Sequence, residues 1–327
     1  MLMVVLGLVG GIAAADPGYA GAKPVKIEAA HYPVTVQICD RPVRFDARPQ
    51  RVVTHDVNIT ELFLALDLGH LLVGYSGVRA DKELAPEYRD QVANVPLLSQ
   101  RGMDLESIVG TGADFVFAGW SYGFTDSSGV TPEALARLGI GSYVLTESCI
   151  RVGPRARVSL EDTFTDLLNL GRIFGVSSRA EALVEGYRRE LAEITDALRG
   201  IKRRPRVFVY DSGTNTPLTA GRYAMPNAMI EMAGGINIFD NVDSSWVNVN
   251  WEDVIDRDPE LIVIVDYGQP DASGKISFLN QKPELAEVAA IQSQRFLVLT
   301  YAEATPGPHN VARTRTLAQA LHPERFR

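Results

Sequence analysis

Basic residues are outnumbered in this chain. Its 327 residues carry 32 Lys and Arg against 40 Asp and Glu, for a net charge of −8. That balance argues against a nucleic-acid surface and, more weakly, against an anionic membrane surface. No low-complexity tract occurs, and no apolar run reaches the roughly 20 residues of a comfortable membrane span. Histidine is sparse: His31, His55, His70, His309 and His322. None pairs at i, i+4, and there is no Cys or His cluster, so neither a bare metal site nor a resident cofactor is expected. Cysteine is sparser still, at Cys39 and Cys149. Two readings stay open for them: one disulfide, or two unrelated buried thiols. A bond would close a loop of about 110 residues, worth up to about 4–5 kcal/mol in the chain-entropy model.

The chain begins MLMVVLGLVGGIAAAD. That run fits the core of a signal peptide occupying residues 1–22, with a small-residue cleavage site at Ala13–Ala15 or Ala20–Ala22. No Lys or Arg precedes it, and no Cys follows at the spacing of a lipid anchor. The expectation is an exported, soluble, periplasmic protein. The length suits two lobes better than one compact domain.

What the chain does have is a sentence written twice. LESIVGTGADFVFAGW starts at Leu105, and WEDVIDRDPELIVIVD starts at Trp251. Each reads as a short helix with Glu second, a break with an acidic residue, and an aliphatic strand. The surroundings repeat too. RVVTHDVN is echoed by RVFVYDSG, and NITELFLALDLG by MPNAMIEMAGG. Strand and helix patterns alternate in both halves, which predicts parallel sheets covered by helices. An alternating hairpin is expected over 33–46, with its turn near Asp40–Pro42. Between the halves, 159–174 reads as helix, and 178–200 as a second, long one. In the long one Leu183, Val184, Tyr187, Leu191, Ile194 and Leu198 form one stripe. Ser178 with Glu181 suggests a capping box, and Gly200 a stop. At 1.5 Å per residue the helix would span roughly 33–36 Å, enough to act as a spine between lobes. The fold class is therefore α/β: two Rossmann-like lobes joined by a long spine helix, with a ligand cleft between them. The expected limits are 23–155 for the N-terminal lobe, 156–202 for the connecting helices and 203–327 for the C-terminal lobe.

In this order, RVVTHDVNITELFLALDLG, LESIVGTGADFVFA, TAGR…AGGINIFD, W…WEDVIDRDPELIVI and RFLVLTYAEATPGP resemble the periplasmic solute-binding proteins of iron-siderophore and cobalamin ABC importers. The resemblance covers about residues 48–322. It implies two lobes on a helical backbone, little hinge bending and no catalysis. It also implies that one surface glutamate on each lobe, here Glu106 and Glu252, meets arginines of a membrane permease dimer. Arg forks match carboxylates, so a rigid body with two such charges could be read in register.

Ligands of open α/β sheets sit outside the carboxyl ends of strands. That rule nominates His55, Asp56, Asn58, Ser99, Gln100, Arg101, Trp120 and Tyr122 in the first lobe. In the second it nominates Asp211, Thr219, Arg222, Trp246, Tyr267, Tyr301 and Glu303. Aromatic planes suit a bulky organic shell, and arginines suit anionic oxygens. The expected cargo of a monomeric binding protein is thus a ferric siderophore or similar iron chelate. Cobalamin is an alternative, as is haem held by His55 and a tyrosine. One motif points elsewhere. GWSYG at 119–123 matches a nucleophile elbow, and Ser121, Asp266 and His309 follow hydrolase order. Against it, FTDSSGVTPEAL puts the next helix near Thr131, and no oxyanion segment is recognisable.

Overall fold

The structure is a computed structural model that describes residues 32–326. The expected signal peptide lies outside the described residues. The first element is a hairpin of β1 (Val34–Ile38) and β2 (Arg41–Phe45). Its turn falls on Cys39 and Asp40, at φ of 47° and 61°. Two successive positive-φ residues give a turn whose twist suits a hairpin. Among the described residues the hairpin pairs with no other strand. It lies instead on the helix Leu160–Phe174, where Asn169 and Arg172 donate to the carbonyls of Gln37 (3.1 Å) and Thr35 (2.9 Å). Cys39 is disulfide-bonded to Cys149, with Cα atoms 5.2 Å apart.

The first lobe is built on β3 (Val52–His55), β4 (Leu72–Ser76), β5 (Leu97–Ser99), β6 (Phe115–Trp120), the two-residue β7 (Gly123–Phe124) and β8 (Gly141–Val144). Its parallel order is β5-β4-β3-β6-β8, with β7 beside the end of β6. The second lobe holds β9 (Arg206–Tyr210), β10 (Leu218–Ala220), β11 (Ile236–Asn237), β12 (Trp246–Asn248), β13 (Leu261–Asp266) and β14 (Phe296–Thr300). Four of these form a parallel sheet, β11-β9-β13-β14, and β10 and β12 make a separate antiparallel pair. The inner strands are almost unbroken apolar runs. That is what a parallel strand covered on both faces requires. In each sheet the chain starts in the middle, runs one way, then reverses. The reversal lies between β3 and β6 in one lobe and between β9 and β13 in the other.

The repeated sentence has a structural job. Its two copies become the helix Leu105–Gly110 before β6 and the helix Trp251–Arg257 before β13. The acid after each break clips the start of the neighbouring central strand. Asp114 N–H donates to the Arg51 carbonyl (2.9 Å), and its carboxylate accepts from the Arg51 N–H (2.9 Å). Glu260 N–H donates to the Arg206 carbonyl (2.8 Å), and its carboxylate accepts from the Arg206 N–H (3.0 Å). Each lobe thus satisfies the exposed amide at the foot of its first strand in the same way.

The long helix spans Ser177–Ala197, about 30 Å at 1.5 Å per residue. It starts one residue earlier than predicted, and the Ser178–Glu181 capping box does not form. Gly175 ends the preceding helix in the left-handed conformation (φ 68°), and the chain turns at once through Val176. No extended residue remains for Ser178 to occupy a cap. At the far end Gly200 stops the helix at φ 77°, but residues 198–200 are already turn. Val184, Leu191, Ile194 and Leu198 are buried, and Leu183 and Tyr187 pack on the same core. The helix touches both lobes. Arg179 donates to the Ala65 carbonyl (3.3 Å) in the first, while Glu193 pairs with Arg315 (2.5 Å) in the second.

Candidate ligand cleft between the lobes

The cleft begins where β3 ends. His55 is followed by Asp56, at φ 77° and ψ 152°. This backbone region costs a non-glycine residue about 1–3 kcal/mol and persists only where its surroundings impose it. Three contacts do so. The Asp56 carboxylate accepts from the Val57 N–H at the start of the helix Val57–Ala65 (2.7 Å), from Lys82 Nζ (2.5 Å) and from the Tyr301 hydroxyl (2.8 Å). Tyr301 follows β14, so the switch point of the first lobe is bonded to the strand ends of the second. The Lys82 ammonium also lies 3.6 Å from the Tyr301 ring centroid, a close cation–π contact. Tyr301 meets Tyr267 edge to face at 5.2 Å, and the Tyr267 hydroxyl donates to Asp211 Oδ1 (2.8 Å). Lys82, Asp56, Tyr301, Tyr267 and Asp211 therefore form one polar and aromatic bridge across the lobes.

Two cavities flank this bridge. One, of about 330 Å³, lies outside the carboxyl ends of β3 to β6 and is lined by His55, Asp56, Arg79, Gln100, Arg101 and Ser121 among others. The other, of about 630 Å³, lies against the ends of β13 and β14 and the segment 80–89. Its walls carry Glu61, Asp81, Tyr267, Glu303, His309 and Arg313. Lys82 and Tyr301 line both. Gly123 (φ 108°) forms the close floor beside His55. A Cβ there would come within 2.8 Å of the imidazole.

Burial dominates the titration of this region. It pushes His55 down to about 4, against the opposing pull of Asp56, so the imidazole is neutral near pH 7. His55 Nδ1 shares a hydrogen bond with Ser76 Oγ (2.8 Å). Burial lowers Lys82 and Asp56 opposes that, while burial raises both Asp211 and Tyr301. Arg79 pairs with Asp81 (2.7 Å). Arg101 has no ion pair among the described residues and is the exposed cation at the mouth of the smaller cavity.

Of the residues nominated from sequence, His55, Gln100, Arg101, Tyr267, Tyr301 and Glu303 line one cavity or the other. Asn58, Tyr122 and Thr219 are buried. Asn58 ties the lobes together, donating to the Pro306 carbonyl (2.7 Å). Trp120 and Trp246 are half-buried and line neither cavity. Arg222 lies in a separate hollow with Arg157 and Arg204 and pairs with Asp243 (2.9 Å). The residues that sequence reasoning missed are Arg79 and Lys82. Their hairpin follows β4, and the strand-end rule applied to Ser76 would have pointed at it.

A family profile described as periplasmic binding protein matches residues 52–302. The chain belongs to the periplasmic binding protein family. Among curated relatives, it is 26% identical to a vitamin B12-binding protein of Pectobacterium carotovorum subsp. carotovorum (strain PC1), over 73% of this chain and 79% of the relative. Among solved structures, an ABC-type Fe3+-hydroxamate transport system protein from Saccharomonospora viridis DSM 43017 superposes with a TM-score of 0.76. It is 24% identical and covers 89% of this chain and 99% of the other. A periplasmic haem-binding protein from Roseiflexus sp. RS-1 gives a TM-score of 0.68 at 23% identity, over 84% of this chain and 99% of the other. Members of this family are substrate-binding components of importers and not enzymes. Among the described residues no helix is long and apolar enough to cross a membrane.

The hydrolase arrangement is not assembled. Ser121 does sit at positive φ (64°), as an elbow nucleophile would. It is followed by β7, however, and the next helix begins at Pro132. His309 lines the other cavity, with Nε2 against Glu61 (3.1 Å) and Nδ1 facing Glu87 (4.0 Å). Asp266 accepts from the Ala272 N–H (2.7 Å). Glu106 and Glu252 are both exposed in the first turn of their helices, where carboxylates complement the helix dipole.

One further inter-lobe contact makes stability depend on pH. The Ser245 hydroxyl donates to Glu147 Oε1 (3.1 Å), and Glu147 is fully enclosed. Burial pushes Glu147 up to about 8 from an ordinary 4.5, against Ser245 and two arginines. Between those values the folded chain holds a proton that the unfolded chain releases. The contribution is therefore complete below pH 4.5 and lost as pH rises through 8, at about 1.4 kcal/mol per unit. The melting temperature should fall from pH 5 to pH 8, and Glu147→Gln should flatten that fall. Asp166, which burial pushes up to about 7, adds slope of the same sign in both proteins. Equal slopes in wild type and variant would refute the assignment.

Proposed function

We propose that this protein is the exported cargo-binding component of an ABC importer and that its cargo is a ferric siderophore. The observation that carries the reading is the smaller cavity. Arg79, Lys82 and Arg101 surround it, and Tyr301 supplies an aromatic wall. Asp56, the one acid in its lining, is already paired with Lys82, and Arg79 is held by Asp81 beside it. Arg101 carries no ion pair among the described residues. Cations beside an aromatic surface match a chelate with anionic oxygens in an organic shell. The hydroxamate-transport structural neighbour agrees with this cargo. The vitamin B12-binding relative supports cobalamin as the second reading, and the Roseiflexus neighbour keeps haem in view.

The mechanism is capture between the lobes, then delivery. The cargo rests on His55, Gln100, Arg101, Tyr267, Tyr301 and Glu303. Asn58 ties the lobes together through the Pro306 carbonyl, whereas Trp120, Tyr122, Thr219, Arg222 and Trp246 line neither cavity and stand outside the proposed cargo contacts. Glu106 and Glu252 meet arginines of the permease dimer. The protein acts as a monomer, with residues 1–22 removed on export and lobes at 23–155 and 203–327 joined through 156–202. The test is a tryptophan-fluorescence titration with ferric hydroxamate, ferric catecholate and ferric citrate, then cobalamin and haemin. Saturable quenching by one ferric chelate at sub-micromolar concentration is the expected result. Saturation by cobalamin or haemin alone would replace the cargo and keep the importer role.

A further inference from the structure

Lys82 and Tyr301 are the two residues shared by the cavities, so they are the wall between them. We infer that Lys82 is a charge-reading gate: an anionic group of the cargo displaces its ammonium from Asp56 and Tyr301, and the two cavities become one. This rests on the reading that the cleft holds the cargo.

The contacts permit such an exchange. When Lys82 leaves, Asp56 keeps two donors, the Val57 N–H (2.7 Å) and the Tyr301 hydroxyl (2.8 Å). Its carboxylate is still hydrogen-bonded. Lys82 is in the opposite position. Its side chain is only 11% exposed and has one carboxylate partner. A buried ammonium released without a new anion would be stranded, which is strongly unfavourable. A negatively charged cargo supplies that anion, and a neutral cargo of the same size does not. Selectivity for charge then follows from the exchange itself.

The segment is built to move as a unit. Arg79 and Lys82 bond each other through their backbones (3.2 and 2.9 Å), and Arg79 holds Asp81 (2.7 Å). This closed hairpin hangs from Gly77, whose φ of 78° and lack of a side chain let it pass within about a contact distance of His55 and Asp56. At the other end the Ala85 N–H is fixed to Glu61 Oε1 (2.7 Å). Joined, the two cavities approach about 1000 Å³, the upper end for small-molecule sites.

The experiment titrates wild type, Lys82→Met and Lys82→Arg with ferric citrate and with cyanocobalamin, read by tryptophan fluorescence. Lys82→Met keeps the length over Tyr301 and removes the charge. It should weaken ferric citrate about tenfold or more, and leave cyanocobalamin unchanged or tighter. Lys82→Arg should keep ferric citrate within about threefold of wild type. Equal weakening of both ligands by Lys82→Met, or no change in either, overturns the gate. So does a wild type that does not bind ferric citrate. In that last case, binding of another ferric chelate would leave the cargo reading standing, and binding of no ferric chelate would remove both. A melting temperature for Lys82→Met near that of wild type shows that the comparison is between folded proteins.

Discussion

Replacing Glu106 and Glu252 together with alanine should cut uptake about a hundredfold or more while cargo affinity stays within about twofold. The expectation follows from where the two residues sit. Both are exposed, both lie in the first turn of a helix that precedes a central strand, and neither lines a cavity flanking the bridge. Their removal leaves the bridge of Asp56, Lys82 and Tyr301 untouched. A charge-assisted hydrogen bond to an arginine contributes about 1.5–3 kcal/mol, so losing two costs at least about 3 kcal/mol of docking. That is more than a hundredfold in an equilibrium constant. Each single variant should keep only about a tenth to a hundredth of wild type's docking affinity. Uptake assays with the reconstituted permease, paired with a binding titration, check this. Unchanged uptake in the double variant refutes the docking role, and a parallel loss of affinity would place the glutamates in cargo binding instead.

Removing the Cys39–Cys149 bond should destabilise the protein by up to about 4–5 kcal/mol. The bond closes a sequence separation of 110 residues. It also fastens a hairpin that joins neither sheet and is held on its helix by few hydrogen bonds. Cys149 lies two residues from Glu147, whose contact with Ser245 links the lobes. Denaturant unfolding of Cys39→Ser with Cys149→Ser should show a lower midpoint with binding retained under native conditions. A loss below about 1 kcal/mol would mean that the packing of the hairpin on Leu160–Phe174 alone holds it.

Much of the fold was legible because the parallel strands are buried on both faces and are written as short aliphatic runs such as FVFAGW and LIVIVD. The duplicated sentence was legible for the same reason, since each lobe must clip the foot of its central strand. The edges of the long helix were less so. Ser178 carries a cap-like pattern, but Gly175 consumes the turn in which a cap would form. The site was legible at strand ends, where His55, Tyr267 and Tyr301 stand. Lys82 was invisible because RADKEL looks like an ordinary charged loop. Only the tertiary arrangement brings that ammonium onto Asp56 and beneath a tyrosine 219 residues later (82 to 301). Arg222 shows the converse: a plausible cleft cation by position that folding turns toward Asp243.

The most direct test of the account is the amount of cargo that one chain retains. The mature protein would be equilibrated with each ferric chelate, separated from free ligand by gel filtration, and assayed for iron and protein. The account predicts one iron per chain, co-eluting with one chelate at the monomer position. Iron-free protein after every ferric chelate, with cobalamin or haemin retained instead or with nothing retained, would contradict it.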